Sequence, residues 1–248
     1  MADRALAERL VRTAGAIALE LRGGAVDVKA GPTDVVTLAD RRAEAALLEL
    51  LRSERPDDGV LGEEGAAVAG GARRWLLDPV DGTLNYVSGL PAWCSAVALL
   101  DGAGPLAAAV FDPVAGELFS AERGGATTLN GAPLALPDAA PALGDATVAT
   151  FVDARRRDPA ISAGTAALLR EVGALRAVGC GSLELAWIAA GRLHAWVQPD
   201  VDPWDWHPGA LLVSGAGGTA RVAGRWHAAA AGPALAGAVL AAVGAATA

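Results

Sequence analysis

One stretch near the middle of the chain constrains the fold more than any other. It is residues 75–91, WLLDPVDGTLNYVSGLP, in which three large apolar residues predict a buried strand that runs directly into Asp78. Pro79 disfavours an immediate helix, and Asp81 follows on a predicted tight turn. Two carboxylates therefore stand at the end of a buried strand with the carbonyl of Val80 between them, and hard divalent cations prefer such a ligand set.

The residues that follow add a second feature. If a helix begins at Gly82, its free backbone N–H groups suit a phosphate. A metal ion and a phosphate at one strand end outline a site for phosphoryl transfer. The letters DPVDG also fit an ordinary turn, so the motif needs support from elsewhere in the chain.

Acidic residues at three other places provide that support. Asp40 stands at the predicted start of the second helix, where it would also complement the helix dipole. Glu63 follows a short apolar run, and a solvated acidic turn is the alternative there. Asp205 precedes Pro208, which we place in the first turn of the next helix, so Asp205 would be an N-cap or an N-terminal carboxylate.

Composition narrows the class of protein. The 248 residues, 53% of them hydrophobic, suffice for one large domain or two closely packed small ones. A net charge of −8 argues against nucleic acid as the main partner. Cys94 and Cys180 form no disulfide framework and are expected as buried thiols. Residues 228–248 are rich in Ala and Gly, so we expect a core strand and a buried helix there, and no membrane span.

The rest of the pattern alternates helices and strands. We expect residues 66–74 to form a flexible connector, Ser182 to cap the helix at 183–190, and residues 133–141 to separate two halves of the chain. The remaining helices are predicted over 3–22, 40–52 and 160–172, and strands over 26–29, 60–62, 93–100, 106–112, 116–121, 148–152, 175–178, 193–197 and 219–222.

Four stretches, in this order, resemble the inositol monophosphatase family of metal-dependent phosphatases. They are PTDVVT at 32–37 with Asp40, GEE at 62–64, the central stretch at 75–91, and Trp204-Asp205 with residues 209–218. The resemblance covers nearly the whole chain. It implies an α/β (α+β) fold, a layered α/β/α/β/α sandwich of the sugar-phosphatase type, commonly a homodimer in the cytoplasm with no membrane partner. We expect one compact unit whose N-terminal half, 1–137, carries most metal ligands.

The resemblance also implies a Mg²⁺-dependent, Li⁺-sensitive site that hydrolyses a small phosphorylated alcohol. It would hold two or three ions, for which Mn²⁺ could substitute. The first ion would be held by Glu63, Asp78 and the Val80 carbonyl, and the second by Asp78, Asp81 and Asp205. A third, weaker ion would sit near Glu63, which therefore also counts as catalytic. Asp205 would come from the C-terminal half, 138–248, together with the residues that face the substrate.

The same resemblance assigns roles around the phosphate. The phosphate would rest on the amides of Gly82 and Thr83. Thr83, hydrogen-bonded toward Asp40, would orient the attacking water. The alcohol would face Asp81, Gly179, Cys180, Gly181, Gln198 and Asp205. Elementary chemistry supports this arrangement, because hydrolysis of a phosphate monoester needs charge neutralisation and in-line placement more than covalent help.

Several positions depart from the family pattern and leave the substrate open. Gln198 stands where a carboxylate is common, Cys180-Gly181 replaces a small hydroxyl residue and Ala, and Gly215 stands where an acidic residue is usual. Residues 206–208, WHP, would add bulk near the site. Inositol 1-phosphate is the first expected substrate. The alternatives are histidinol phosphate on the same scaffold, or a non-catalytic binding or regulatory member, which would be expected to have lost metal ligands.

Overall fold

The described part of the chain comprises residues 1–24, 26–31, 34–151 and 158–244 of a computed structural model. Its helices are α1 (Asp3–Leu21), α2 (Leu38–Glu54), α3 (Thr83–Val87), α4 (Pro159–Glu171), α5 (Gly181–Ala189), α6 (Pro203–Gly215) and α7 (Pro233–Gly244), and a 3₁₀ helix spans Leu143–Asp145. Its strands are β1 (Val26–Gly31), β2 (Asp34–Thr37), β3 (Gly59–Gly62), β4 (Ala67–Val68), β5 (Arg74–Asp81), β6 (Cys94–Asp101), β7 (Gly104–Asp112), β8 (Glu117–Glu122), β9 (Thr128–Leu129), β10 (Ala132–Pro133), β11 (Thr147–Ala149), β12 (Ala174–Arg176), β13 (Ala195–Pro199), β14 (Thr219–Ala223) and β15 (Trp226–Ala230).

These elements stack in five layers. Helices α1 and α2 cover one face of an eight-stranded sheet through a core that contains Leu6, Leu47 and Trp75. Helices α5 and α6 pack against the opposite face of that sheet. Their outer sides cover a five-stranded sheet, where Trp206 stacks on Trp196. Helices α4 and α7 close the far face of the smaller sheet. The expected α/β/α/β/α sandwich is thus confirmed.

The two main sheets contain three parallel pairs of strands among otherwise antiparallel neighbours. The larger sheet has the order β10-β9-β8-β7-β6-β5-β3-β4, in which β3 and β5 are parallel and the other neighbours antiparallel. The smaller sheet has the order β12-β11-β13-β15-β14, in which β11 runs parallel to both of its neighbours. Strands β1 and β2 form a separate hairpin.

Helical periodicity accounts for α1 and α2. Leu6, Leu10 and Ala14 recur at four-residue spacing and are fully buried against the larger sheet. Helix α2 begins with a capping box, in which the Thr37 hydroxyl accepts from the amide of Asp40 while the Asp40 carboxylate accepts from the Thr37 amide. Asp40 is therefore a structural capping residue as well as a candidate for catalysis.

Some expectations about local structure were wrong. Residues 66–74 are not a simple connector, because β4 within them pairs with β3. Ser182 does not cap α5, which begins at Gly181, two residues before the predicted start, with Cys180 at its N-cap. Pro208 does not lie in the first turn of α6, because that helix begins at Pro203. Strand β11 ends at Ala149, short of the predicted end at residue 152, which itself lies outside the described residues.

The alanine-rich C-terminal region forms strand β15 and helix α7, as the composition predicted. Leu235 and Val239 of α7 are buried against the smaller sheet. Among the described helices, none combines the length and the apolar character that a bilayer crossing requires.

Candidate active site

Parallel pairing of β3 with β5 brings the first two acidic positions together. Gly62 is opposite Leu77 in the register, so the residues that follow them, Glu63 and Asp78, stand at the same edge of the sheet. The Glu63 amide donates to the Leu77 carbonyl at 3.1 Å. Glu63 and Asp78 line one pocket of about 390 Å³, which also contains Asp81.

The DPVD segment is not the tight turn that the sequence suggested, because it remains in β5 and contains a bulge. Asp78 is opposite Ala96 and Asp81 is opposite Cys94, so two residues of β5 face the single residue Ser95 of β6. The Ser95 hydroxyl donates to the Pro79 carbonyl at 2.7 Å, so this carbonyl of the irregular stretch has a hydrogen-bond partner. In a regular strand, residues three apart point to opposite faces, and one inserted residue restores a common face. The bulge thereby lets Asp78 and Asp81 converge.

Helix α6 contributes the third carboxylate. Asp205 lies in its first turn, and carboxylate oxygens of Asp78, Asp81 and Asp205 all lie within 4.8 Å of one another. Burial raises the pKa of the Asp78 carboxyl well above its usual range, and the neighbouring charges of Glu63 and Asp81 raise it further. Burial, then Asp81 and Glu63, likewise raise the pKa of Asp205. No basic side chain lines this pocket among the described residues.

Asp81 is held in place by the C-terminal half of the chain. The Ser182 amide, in the first turn of α5, donates to Asp81 Oδ2 at 2.6 Å, and the Cys180 thiol donates to the Asp81 carbonyl at 3.3 Å. Burial raises the pKa of Asp81, and these hydrogen bonds oppose that rise. Cys180 is fully buried with its Sγ 3.6 Å from that of Cys94. Neither Cys180 nor Gly181 lines the pocket, whereas Gly179 does.

The proposed water-orienting pair is in contact. The Thr83 hydroxyl lies 3.2 Å from Asp40 Oδ1 and 3.0 Å from the Val80 carbonyl oxygen, and it can donate its one proton to either. Burial raises the pKa of Asp40, against the effect of its hydrogen bonds to Thr37. Gly82 precedes the short helix α3 with φ +87°, and a Cβ there would lie 3.1 Å from the Ala92 carbonyl oxygen. Glycine is therefore required at this entry to the pocket.

A clamp that the sequence reasoning missed fixes Asn85 and Val178, which both line the pocket. Asn85 Nδ2 donates to the carbonyls of both Ala92 and Val178 at 2.8 Å, and the Val178 amide donates to Glu184 Oε1 at 2.9 Å. Strand β12 stops at Arg176, short of the predicted residue 178, and the Val178 peptide is taken up by this clamp. Burial raises the pKa of Glu184 to about 8.

A second residue that the sequence reasoning missed, Glu44, supports Glu63. Its two carboxylate oxygens accept from the amides of Glu64 and Ala66, each at 2.9 Å. Gly62 provides the space for the Glu44 carboxylate, because a Cβ at Gly62 would lie 2.1 Å from Glu44 Oε2. The signal was present in the sequence, since a charged residue one turn after Asp40 falls on the face of α2 that Leu47 also shares.

The residues that depart from the family pattern lie in different parts of the structure. Gln198 does not line the catalytic pocket but a neighbouring cavity. The expectation that residues 206–208 add bulk near the site was wrong, because none of the three lines the catalytic pocket and Trp206 is buried between Trp196 and His227. At Gly215 a Cβ would lie 2.5 Å from Thr127 Oγ1, so an acidic side chain has no room there.

Comparison with known proteins decides the family. A sequence profile of the inositol monophosphatase family matches residues 3–243. The chain belongs to the inositol monophosphatase family. It is a phosphoric monoester hydrolase by that membership, and the family depends in general on metal ions.

Relatives of this family resemble the chain over most of its length. An inositol-1-monophosphatase of Rhizobium meliloti is 40% identical over 192 residues, which cover 76% of this chain and 72% of the relative. A Nus factor SuhB of Xylella fastidiosa is 35% identical over 75% of this chain and 68% of its own length. The structure of an inositol monophosphatase from Anabaena superposes with a TM-score of 0.85 at 27% identity, covering 98% of this chain and 95% of the other.

Proposed function

We propose that the protein is a Mg²⁺-dependent phosphomonoesterase that hydrolyses a small polyol phosphate such as inositol 1-phosphate. The observation that carries this proposal is the convergence of Asp78, Asp81 and Asp205 within 4.8 Å beside the contact between Thr83 and Asp40. The relatives named inositol-1-monophosphatase support the substrate. The neutral Gln198 keeps an ester of an amino alcohol, such as histidinol phosphate, as the alternative substrate.

The donor set fits divalent cations. Three carboxylates at this distance repel one another, burial raises their pKa values, and the described lining offers no basic side chain to balance them. Hard oxygen ligands of this kind are those that Mg²⁺ takes in proteins. Glu63, Asp78 and the Val80 carbonyl would hold one ion, and Asp78, Asp81 and Asp205 a second. A third ion near Glu63, and Mn²⁺ as a substitute, belong to the same proposal.

The chain's own residues then position the reactants. Bound Mg²⁺ would supply neutralisation of the phosphate charge and a water of lowered pKa. Thr83 would accept a hydrogen bond from such a water while its own proton is directed to Asp40 or to the Val80 carbonyl, and this would orient the nucleophile. The amides of Gly82 and Thr83 would bind the phosphate. Asp205 and the peptide at Gly179 would face the alcohol from the other side of the pocket.

Phosphate release by the purified protein tests the proposal. The esters are inositol 1-phosphate, histidinol phosphate, fructose 1,6-bisphosphate and 3′-phosphoadenosine 5′-phosphate, each with Mg²⁺ or with EDTA. We expect turnover that requires Mg²⁺, that Asp78→Asn abolishes and that Asp138→Asn, a change at an exposed position, leaves intact. Turnover by a folded Asp78→Asn protein would contradict the site assignment. Complete inactivity despite Mg²⁺ binding would favour the regulatory alternative, which the SuhB relative exemplifies by name.

The number of bound metal ions and the oligomeric state are also part of the proposal, and each can be measured directly. Titration calorimetry with Mg²⁺ gives the number of ions for each chain, which we expect to be two or three. Light scattering coupled to gel filtration gives the mass in solution, which we expect to be twice 24.8 kDa if the protein forms the proposed homodimer. We also propose a cytoplasmic location, which fractionation of the source cells would test.

A further inference from the structure

A second cavity, the side cavity, opens beside the catalytic pocket. It has a volume of about 370 Å³, and the residues described around it come from the β11 end, α4, β13 and the start of α6. Phe151 and Asp205 line both spaces, so the two are contiguous at the side where the alcohol of a substrate would lie. A volume of this size is at the lower end for ligand pockets and admits a ring-sized group.

One wall of the side cavity is apolar. It is formed by α4, which presents Ile161, Ala166 and Leu169, with the exposed Ser162 beside them. Thr165 also lines this wall, but its hydroxyl donates to the Ile161 carbonyl at 2.9 Å and is thereby engaged within the helix. Leu169 is 56% exposed and Phe151 44% exposed, so large apolar surface faces solvent at this point. A polyol placed against this wall would lose hydrogen bonds to water without regaining them.

The opposite wall gives the side cavity its polarity. Gln198 is half-buried there, and within the described chain its side-chain amide makes no hydrogen bond. Asp202 stands at the rim, as does Asp200, which is ion-paired with Arg225, and no basic residue is among the described lining residues. Negative charge in this cavity would be repelled by Asp202, whereas one neutral polar atom could bond with Gln198.

We propose that the side cavity binds the distal part of the substrate's alcohol and selects esters in which that part is apolar or aromatic and carries no negative charge. This inference rests on the proposed phosphatase activity, and it replaces the polyol named there with an alcohol whose distal part is apolar. The phosphate and the first carbons of the alcohol occupy the catalytic pocket, and the apolar end lies between α4 and Gln198. Because this contact forms before the reaction and persists through it, it lowers KM and leaves kcat nearly unchanged.

The test compares esters whose leaving alcohols differ little in acidity: ethyl phosphate, 2-phenylethyl phosphate, and the latter with a carboxylate on the ring. We expect kcat/KM for the phenyl ester to exceed that for ethyl phosphate by about tenfold, through KM, and the carboxylate to remove this gain. Ala166→Phe fills the cavity and should abolish the preference, whereas Ala167→Phe, on the same helix but not in the lining, should retain it. Leu169→Ala should weaken the preference, and Leu19→Ala, at a similarly exposed leucine on α1, should not.

The outcomes separate the two proposals. Equal kcat/KM for the ethyl and phenyl esters, or a preference that Ala166→Phe and Leu169→Ala both leave intact, overturns the side-cavity inference while hydrolysis itself stands. Absence of Mg²⁺-dependent hydrolysis for every ester, ethyl phosphate included, overturns the phosphatase proposal and the inference with it. If Ala166→Phe does not fold, Leu169→Ala and the carboxylated ester still decide the question.

Discussion

Asp78→Asn should make the metal-free protein more stable while it removes activity. Asp78 is 1% exposed, and its carboxylate has an oxygen within 4.8 Å of oxygens of both Asp81 and Asp205. Asn keeps an oxygen that can accept the Val80 amide hydrogen bond, which measures 3.1 Å in the structure. The substitution therefore removes a buried negative charge and little else.

The size of the effect follows from two estimates. Two unit charges 4.8 Å apart repel by about 3.5 kcal/mol at an effective dielectric constant of about 20. Protonation limits this repulsion, since holding an Asp neutral at pH 7 costs about 4 kcal/mol against an unfolded pKa of about 3.9. Removal of the charge should thus raise the free energy of unfolding by about 1–4 kcal/mol. For a chain of this length, each kcal/mol corresponds to about 2–4 °C in Tm.

The pH dependence of stability also follows from the raised pKa of Asp78. Because burial and the neighbouring carboxylates raise the folded pKa of Asp78, the folded protein retains the Asp78 proton to a higher pH than the unfolded chain does. In EDTA, the stability of the wild-type protein should fall as pH rises above about 4, and Asp78→Asn should make that slope shallower. We expect Mg²⁺ at 100 times its Kd to stabilise the wild type by about 2.7 kcal/mol, with a much smaller shift in the variant.

Thermal melts of both proteins in EDTA and in Mg²⁺, between pH 5 and 8, measure all of these quantities. Asp138→Asn is the control for loss of a surface carboxylate. The reasoning is refuted if Asp78→Asn melts below the wild type in EDTA, or if Mg²⁺ stabilises the two proteins equally. The first result would mean that Asp78 is not repelled by its neighbours, and the second that it is not a metal ligand.

Three further predictions concern residues that support the site or the fold. In Glu44→Gln, an NH₂ group would face one of the two backbone N–H groups, those of Glu64 and Ala66, that the carboxylate accepts from. Because this would disturb the support of Glu63, kcat/KM should fall about tenfold or more. Glu49→Gln, at an exposed position on the same helix, should have no effect. Gly215→Ala should lower stability by about 1–3 kcal/mol in denaturant melts, because its Cβ would meet Thr127, whereas Gly237→Ala has open space and should gain up to about 1 kcal/mol. Burial raises the folded pKa of Glu184 to about 8, so the free energy of unfolding should fall by about 1 kcal/mol per pH unit between pH 5 and 8. A Glu184→Gln protein that kept this slope would contradict the assignment of the slope to Glu184.

The layer architecture and the acidic residues of the site were predictable from the sequence. Helical and alternating periodicity gave most elements, and the order of the four motifs led to the five-layer fold. Asp78 and Asp81 stood out because charged residues next to an apolar run are costly to bury without a partner. Asp205 needed the resemblance, since nothing local distinguishes it from an ordinary residue of a first helical turn.

What could not be predicted depends on partners distant in sequence. The bulge in β5 exists because Ser95 of the next strand satisfies the Pro79 carbonyl, and a turn was the simpler local interpretation. Trp206 adjoins a metal-ligand position in sequence, yet its contacts lie with Trp196 and His227. Single-sequence patterns give the face of an element, but the neighbour that covers that face comes only from tertiary structure.

The central layer of helices has a consequence for how the chain matures on the ribosome. All eight strands of the larger sheet are complete by Pro133, but one face of that sheet is covered by α5 and α6, which end only at Gly215. Until those helices emerge, Ala96, Ala108 and Phe119 lack the cover that they have in the folded chain. We therefore expect nascent chains that stop near residue 137 to bind chaperones, and expect release only after α6 has been synthesised.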